Sequence, residues 1–430
     1  MKILKEKGIF AFICSNKFVK TQYGKNLRKL ILNYQLVIYD DLTGNKVFKE
    51  AQVDTCIIQI KKSYLTNNKI FVNQKFCIEQ NNITPDSFTF KNPEIYNLRE
   101  KILNQSSLIK NLEIEIDRGI LTGCNNAFII NQDTKNKLIS EDINNKKVIK
   151  TILRGRDISK WRINYKNLYL LYIPWDFNLS KYPSLKKYLL NFKEDLQSRP
   201  EVKNNRYPWY SLSRYAADYV EFFGKEKIVY STISLNPCFI YDEKGYFLNN
   251  SAYFMYSEKI NLKYLNAILN SNLLFWYFKD IGTDYGGKAH PYRKIYVEQL
   301  PIKITTPKLE SEVVKLAEEM ITLNKIFVNK LNDFYLFLEN NFLIEKLSKK
   351  LEKYYELSSK EFLVEIKKRK VDTYNEKNKK ILLDSFEKSV QELNLLQSKI
   401  NNVDYEINKL IYKIYNLNSD EIILIESQIN

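Results

Sequence analysis

The stretch Lys7–Phe18, KGIFAFICSNKF, decides how the fold is read. After Gly8 come six residues without a charge, Ile9 to Cys14, and then the polar pair Ser15–Asn16. An uncharged run of that length between turn signals predicts a strand buried on both faces, as in the middle of a parallel sheet. A buried central strand needs a neighbour on each side, yet only a few residues precede this one. Outward from it, Val19, Tyr23, Leu27, Leu30 and Ile31 recur at helical spacing. Leu36–Tyr39 and Cys56–Ile60 predict two further apolar strands, joined by a polar loop that carries Asp40, Asp41, Gly44, Val47 and Phe48. Residues 1–62 therefore read as the closing part of a doubly wound α/β domain, incomplete on one side. That part is expected to leave one apolar sheet edge uncovered, which invites pairing or aggregation.

Three further zones follow. Residues 63–107 are polar and irregular, with NNITPDSFTFKNP reading as a connector. Residues 108–305 hold eight of the eleven glycines and short apolar runs such as AFII, LYLLYI, KIVYSTI and AYFMY. They read as a mixed α+β domain, mainly strands with a few helices. Residues 306–430 contain no glycine and read as helical. Val313, Met320, Phe327 and Phe334 repeat every seven residues, and Ala317, Asn324, Leu331 and Leu338 form the second row of a seam. Ser358 with Glu361 fits a capping box, and Ile407, Leu410, Ile411 and Ile414 make another apolar face. The seam serves either a bundle within the chain or a partner helix.

The chain of 430 residues has 67 Lys+Arg against 50 Asp+Glu, a net charge of +17, and 31 tyrosines. Basic and aromatic content together suit a nucleic acid, through phosphate contact and base stacking. An AT-rich genome would raise the same residue types. Cys14, Cys56, Cys77, Cys124 and Cys238 are odd in number and scattered, and fit reduced thiols of a cytoplasmic protein. There is no Cys-x-x-Cys and His290 is the sole histidine, so neither a zinc site nor serine–histidine catalysis is expected. No apolar run is long enough to span a bilayer.

Other absences narrow the chemistry. No two glycines stand two apart, and Gly-Lys-Ser/Thr is missing, so neither a dinucleotide-type turn nor a phosphate loop is present. Asp195, Glu201 and Lys203 have a loose nuclease-like order that a highly charged chain produces by chance. What is present is basic and aromatic. Ile152–Tyr165 combines Arg154, Arg156, Lys160 and Arg162 with Trp161 and Tyr165. Guanidinium forks suit phosphates and guanine edges, whereas an Arg–Asp157 pair bracing the loop explains the same residues structurally. Gly286–Lys294, GGKAHPYRK, brings Lys288, His290 and Arg293 into one turn-rich segment. Arg118–Asn126, RGILTGCNN, adds Arg118 and Asn125.

Taken in order, these segments resemble the C-terminal part of TaqI-like adenine-specific DNA methyltransferases, including the fused type IIG restriction–modification enzymes. KEKGIFAFICSNKF, YGKNLRKLI and VFKEAQVDTCIIQIKK resemble the last strands and helix of their methyltransferase domain. RGILTGCNNAFII, ILRGRDISKW and the run from VYSTIS through FLNNSAYFMY to YRKIYVEQLPI resemble their target-recognition domain, and EINKLIYKIYNLNSDEI their C-terminal helices.

The resemblance implies an α/β remnant of the methyltransferase sheet, a recognition domain that reads double-stranded DNA, and Phe48 stacked on a flipped adenine. It also implies S-adenosylmethionine as methyl donor for the complete enzyme. The family's Gly-rich cofactor loop and Asn-Pro-Pro-Tyr do not occur here; Asn92–Pro93 and Asn236–Pro237 are the only Asn-Pro pairs. The chain alone is thus expected to bind no cofactor and to be inactive, with a second polypeptide supplying the missing half. The alternatives are a non-catalytic DNA-binding remnant or specificity subunit, and a non-specific nucleic-acid binder.

Overall fold

The computed structural model describes residues 1, 3–19, 21–44, 47–48, 53–63, 67–86, 88, 90, 92–281, 289–369, 371 and 375–429. It divides into two compact units, Met1–Asn104 and Gln105–Asn430.

In the first unit, five strands form one mixed sheet: β1 (Ile9–Ser15), β2 (Gln35–Asp41), β3 (Thr55–Lys61), β4 (Lys69–Val72) and β5 (Phe76–Glu79). Their order is β1-β3-β2-β4-β5. β3 runs antiparallel to both β1 and β2, so β1 and β2 are mutually parallel; β4 pairs parallel with β2. The two strands expected around Leu36–Tyr39 and Cys56–Ile60 are therefore present. Leu36, Cys56, Ile58, Ile60, Ile70 and Val72 make the core with Phe18, Ile31 and Phe88.

Three expectations need correction. First, Ile9–Cys14 is not a central strand: β1 is the sheet edge, and Ile9 and Phe12 are 57% and 53% exposed. Its register with β3 is unbroken from Ile9↔Lys61 to Ser15↔Thr55. Lys62 N donates to Gly8 O (2.9 Å) and Asn16 N to Asp54 O (3.1 Å), so even-numbered residues exchange the hydrogen bonds with β3. By alternation the amides of Ile9, Ala11 and Ile13 point away from the sheet. An uncovered apolar edge in 1–62 agrees with this placement.

Second, helix α1 (Lys25–Leu32) does not bury its apolar stripe. Leu27 and Leu30 are exposed, while Arg28 is fully buried beside Ile31. The Arg28 guanidinium donates to the carbonyls of Phe18 (2.5 Å), Thr21 (2.8 Å), Pro85 (2.7 Å) and Asp86 (2.9 Å). Those four acceptors fix the helix rotation. Third, 63–107 is no irregular connector, because it contains the β4–β5 hairpin and helix α2 (Pro93–Asn104).

The second unit holds two four-stranded sheets and a helical arm. One sheet is antiparallel, with β6 (Glu115–Arg118), β7 (Lys227–Ser231), β8 (Phe239–Asp242) and β9 (Ala252–Tyr256) in the order β8-β7-β9-β6. Every residue of β7 is buried. The other sheet lines up Phe247–Leu248, Ile149–Leu153, Tyr169–Leu171 and Ile129–Ile130.

The arm consists of α3 (Pro307–Phe342) and α4 (Glu376–Ile414), each roughly 55 Å long at 1.5 Å per residue. They run antiparallel, with Lys330 Nζ 2.8 Å from Glu392 and the rings of Phe334 and Phe386 6.5 Å apart. The eight seam positions predicted from the heptads are the eight buried residues of α3. The seam is closed within the chain, and Ser358 and Glu361 form the expected capping box.

Candidate nucleic-acid interface

Four separate segments meet at one surface of the second unit. After β6, the chain crosses the segment that leads into β9. A Cβ on Gly119 would lie 2.1 Å from Asn249 O. At the turn after Ile149–Leu153, a Cβ on Gly155 would lie 2.3 Å from Ser251 O and 2.8 Å from Ser231 Oγ. Any side chain at either position would force these backbones apart. Gly155 N also donates to Ser251 Oγ (2.8 Å), and Ser251 Oγ donates to Asn249 Oδ1 (2.5 Å). The crossing leaves an open cleft of about 550 Å³, lined among others by Asn125, Asn126, Arg156, Thr232 and Asn249. RGILTGCNN, ILRGRD, VYSTIS and FLNNSAY thus converge, although they are far apart in sequence.

Within the cleft the two arginines of RGR differ. Arg154 is pinned: its Nε and Nη2 donate to the Asp157 carboxylate (2.9 and 2.8 Å), and its backbone N–H donates to the same group (2.9 Å). The loop-bracing reading describes Arg154. Arg156, on the outer side of the same 3-10 turn, is exposed. Arg118 is also exposed; its Nε donates to Asn250 O (2.9 Å) and its guanidinium lies 5.9 Å from the Tyr253 ring. Asn125 is exposed and accepts from Thr122 Oγ1 (2.7 Å).

Two other predicted contacts, Trp161 and His290, are buried, and Lys160 is paired within the fold. Lys160 pairs with Asp404 on α4 at 2.9 Å. Trp161 is 7% exposed, at a backbone φ of 63°. Arg162 donates to Asn324 (2.5 Å) and Gln397 (2.7 Å) and lies 3.8 Å from the Phe327 ring centroid. This turn is the latch between the sheets and the arm, and burial lowers the Arg162 pKa. His290 is buried against the edges of Phe275 and Phe278. Arg293 is exposed at the start of the turn Lys294–Val297. Lys288 lies outside the described residues. In the first unit, Phe48 is 44% exposed, so its ring is not enclosed between the strands.

Sequence reasoning missed Asn126, Thr232 and Asn249 as cleft residues; their segments were recognised, but neutral amides and hydroxyls carry no local signal. It also missed Lys227 and Asp242, which pair at 2.6 Å with both side chains fully buried. Lys227 Nζ also donates to Phe223 O (2.6 Å), and Asp242 accepts from Tyr246 N (2.9 Å). Burial lowers the Lys227 pKa, and the Asp242 carboxylate opposes that shift.

Metal and cofactor fit can be judged on the same residues. Among the described residues no three His, Cys, Asp or Glu side chains group for a metal. In the first unit, a Cβ on Gly24 would lie 2.1 Å from Phe18 O and one on Gly8 2.9 Å from Lys5 O. Gly8 and Gly24 thus close on their own backbone, and neither offers an open backbone cradle for a cofactor. No helix among the described residues is long and apolar enough to cross a membrane.

Comparison with known proteins gives three matches along the chain. Residues 150–302 match the TaqI-like C-terminal specificity domain, and residues 1–48 match the Eco57I restriction-modification methylase family. Residues 306–411 match a domain of unknown function, DUF8810. Both matches agree with the resemblance to restriction–modification methyltransferases with a target-recognition domain that the sequence segments carry.

Among its relatives, Type II methyltransferase M.BstVI of Geobacillus stearothermophilus is 20% identical over 77% of this chain and 64% of its own length. Type II methyltransferase M.BanIII of Aneurinibacillus aneurinilyticus is 22% identical over 75% of this chain and 65% of its own length. The chain therefore spans somewhat under two thirds of both. Among solved structures, Type IIL restriction-modification enzyme MmeI in complex with DNA aligns over 95% of this chain and 49% of its own, at 11% identity and a TM-score of 0.43. The type IIG restriction endonuclease BpuSI aligns over 73% and 42%, at 13% identity and a TM-score of 0.38.

Proposed function

We propose that residues 108–305 read a short sequence in double-stranded DNA for an adenine-specific methyltransferase, and that Phe48 stacks on the extruded base. One observation carries the reading: four segments of the specificity domain interlock through Gly119 and Gly155 and present polar side chains on one open cleft. Base edges are read by such amides, hydroxyls and guanidinium forks. An aromatic face on a flipped base contributes roughly 1–3 kcal/mol, and the exposed Phe48 ring is free for that use.

The reaction in this reading is methyl transfer from S-adenosylmethionine to the adenine amino group, in the cytoplasm. The cofactor loop and the Asn-Pro-Pro-Tyr motif come from outside these residues, on a partner polypeptide. The test is methyl incorporation into duplex DNA from labelled S-adenosylmethionine. The chain alone should give none, and the chain mixed with a polypeptide carrying both motifs should give site-specific adenine methylation. Phe48→Ala in that mixture should lower incorporation roughly 5- to 150-fold, in line with the stacking energy. A mixture that stays inert while the chain still selects a DNA sequence would leave a non-catalytic specificity protein.

A further inference from the structure

Among the described residues, the cleft holds one cation that the fold itself does not use. Two arginines line it, and Arg154 is neutralised by Asp157. Arg156 makes no hydrogen bond or ion pair with the described residues. Its support is nonetheless rigid. The turn Gly155–Asp157 is closed by the Asp157 carboxylate, which accepts from the Arg154 N–H, and by Asp157 N, which donates to Arg154 O (2.8 Å); it is tied to Ser251 through the Gly155 N–H. The backbone that carries the guanidinium is thus held in place before any ligand arrives, so little main-chain order is lost on binding.

Its surroundings distinguish two uses. A phosphate grip gathers several cations, because its strength grows with the number of charges neutralised. Here, apart from the neutralised Arg154, the polar side chains that line the cleft with Arg156 are uncharged, among them Asn125, Asn126, Thr232 and Asn249. That is the composition of a base-edge reader, in which a single guanidinium fork meets the O6 and N7 acceptors of guanine in the major groove. Resting on the DNA-reading function proposed above, we infer that Arg156 specifies a guanine in the recognised sequence. Arg154 is its positioning residue, acting through Asp157 and the turn.

The experiment selects duplexes with a randomised centre on the full chain, for the wild type, Arg156→Ala and Arg156→Lys. The wild type should enrich a short motif containing a guanine. Arg156→Ala should enrich the same motif with that one position degenerate, and its affinity for the wild-type motif should fall roughly 5- to 150-fold. The slope of log affinity against log salt should stay unchanged, and Arg156→Lys should retain part of the preference. Because the side chain is exposed, the thermal midpoint should match the wild type.

Two results would overturn the assignment. Arg156→Ala could weaken every duplex equally and reduce the salt slope by about one, which marks a phosphate contact. Or it could leave the selected motif intact. A wild-type chain that enriches no motif removes the DNA-reading function first, and the guanine contact with it.

Discussion

β1 and β7 look alike on paper and behave as opposites in the fold. IFAFICS and KIVYS are both short, apolar and β-branched or aromatic. β7 sits between β8 and β9 with all five residues buried, whereas β1 is an edge with Ile9 and Phe12 mostly in solvent. β7 even buries a lysine, because Asp242 on the neighbouring strand supplies its counter-charge. Burial here follows from the neighbours a strand acquires rather than from its own composition. The uncovered edge is a row of unpaired backbone groups, which other chains can pair with.

The largest expected contrast is in hydrogen exchange. The amides of β7 should exchange only with global unfolding, at a cost of about 5–15 kcal/mol for a typical domain. Those of Ile9, Ala11 and Ile13 should exchange near open-chain rates, and those of Phe10 and Phe12 should lie between. Strong protection of the outward-facing three in a clean monomer would break the comparison.

Next in size is the buried pair. Lys227→Ala should destabilise the second unit by about 3–5 kcal/mol in urea unfolding, since it strands a buried carboxylate. Lys227→Met combined with Asp242→Leu should recover most of that loss; failure to recover would mean that the pair itself, beyond its charge balance, holds β7 to β8. The smallest effect concerns the edge. Phe12→Lys should change stability by less than about 0.5 kcal/mol, yet lower self-association in sedimentation at high protein concentration. An unchanged sedimentation profile would show that β1 is not where chains meet.

How much of this was legible follows the range of the interactions. The arm was readable because a heptad is a local rule, and all eight seam residues named from spacing are buried in α3. The capping box at Ser358 was readable for the same reason. The rotation of α1 was not, because its apolar stripe pointed one way and four distant carbonyl acceptors of Arg28 pointed the other. In RGRD the sequence left both arginines open to either role. Only the turn geometry assigned Asp157 to Arg154 and released Arg156. Lys160 and Trp161 looked like DNA contacts because a basic–aromatic cluster is the same string whether it faces solvent or, as here, a pair of helices.

The sequence by itself determined the strands β1, β2 and β3, the heptad seam, the glycine-bearing recognition segments and the resemblance to restriction–modification methyltransferases. All of these rest on periodicity or on residues adjacent in the chain. The tertiary structure alone decided which strand is an edge, which cations are neutralised and which four segments share a cleft. Those outcomes depend on contacts between residues as far apart as Gly155 and Ser251, or Arg162 and Gln397. No local pattern encodes a partner that arrives from so far along the chain.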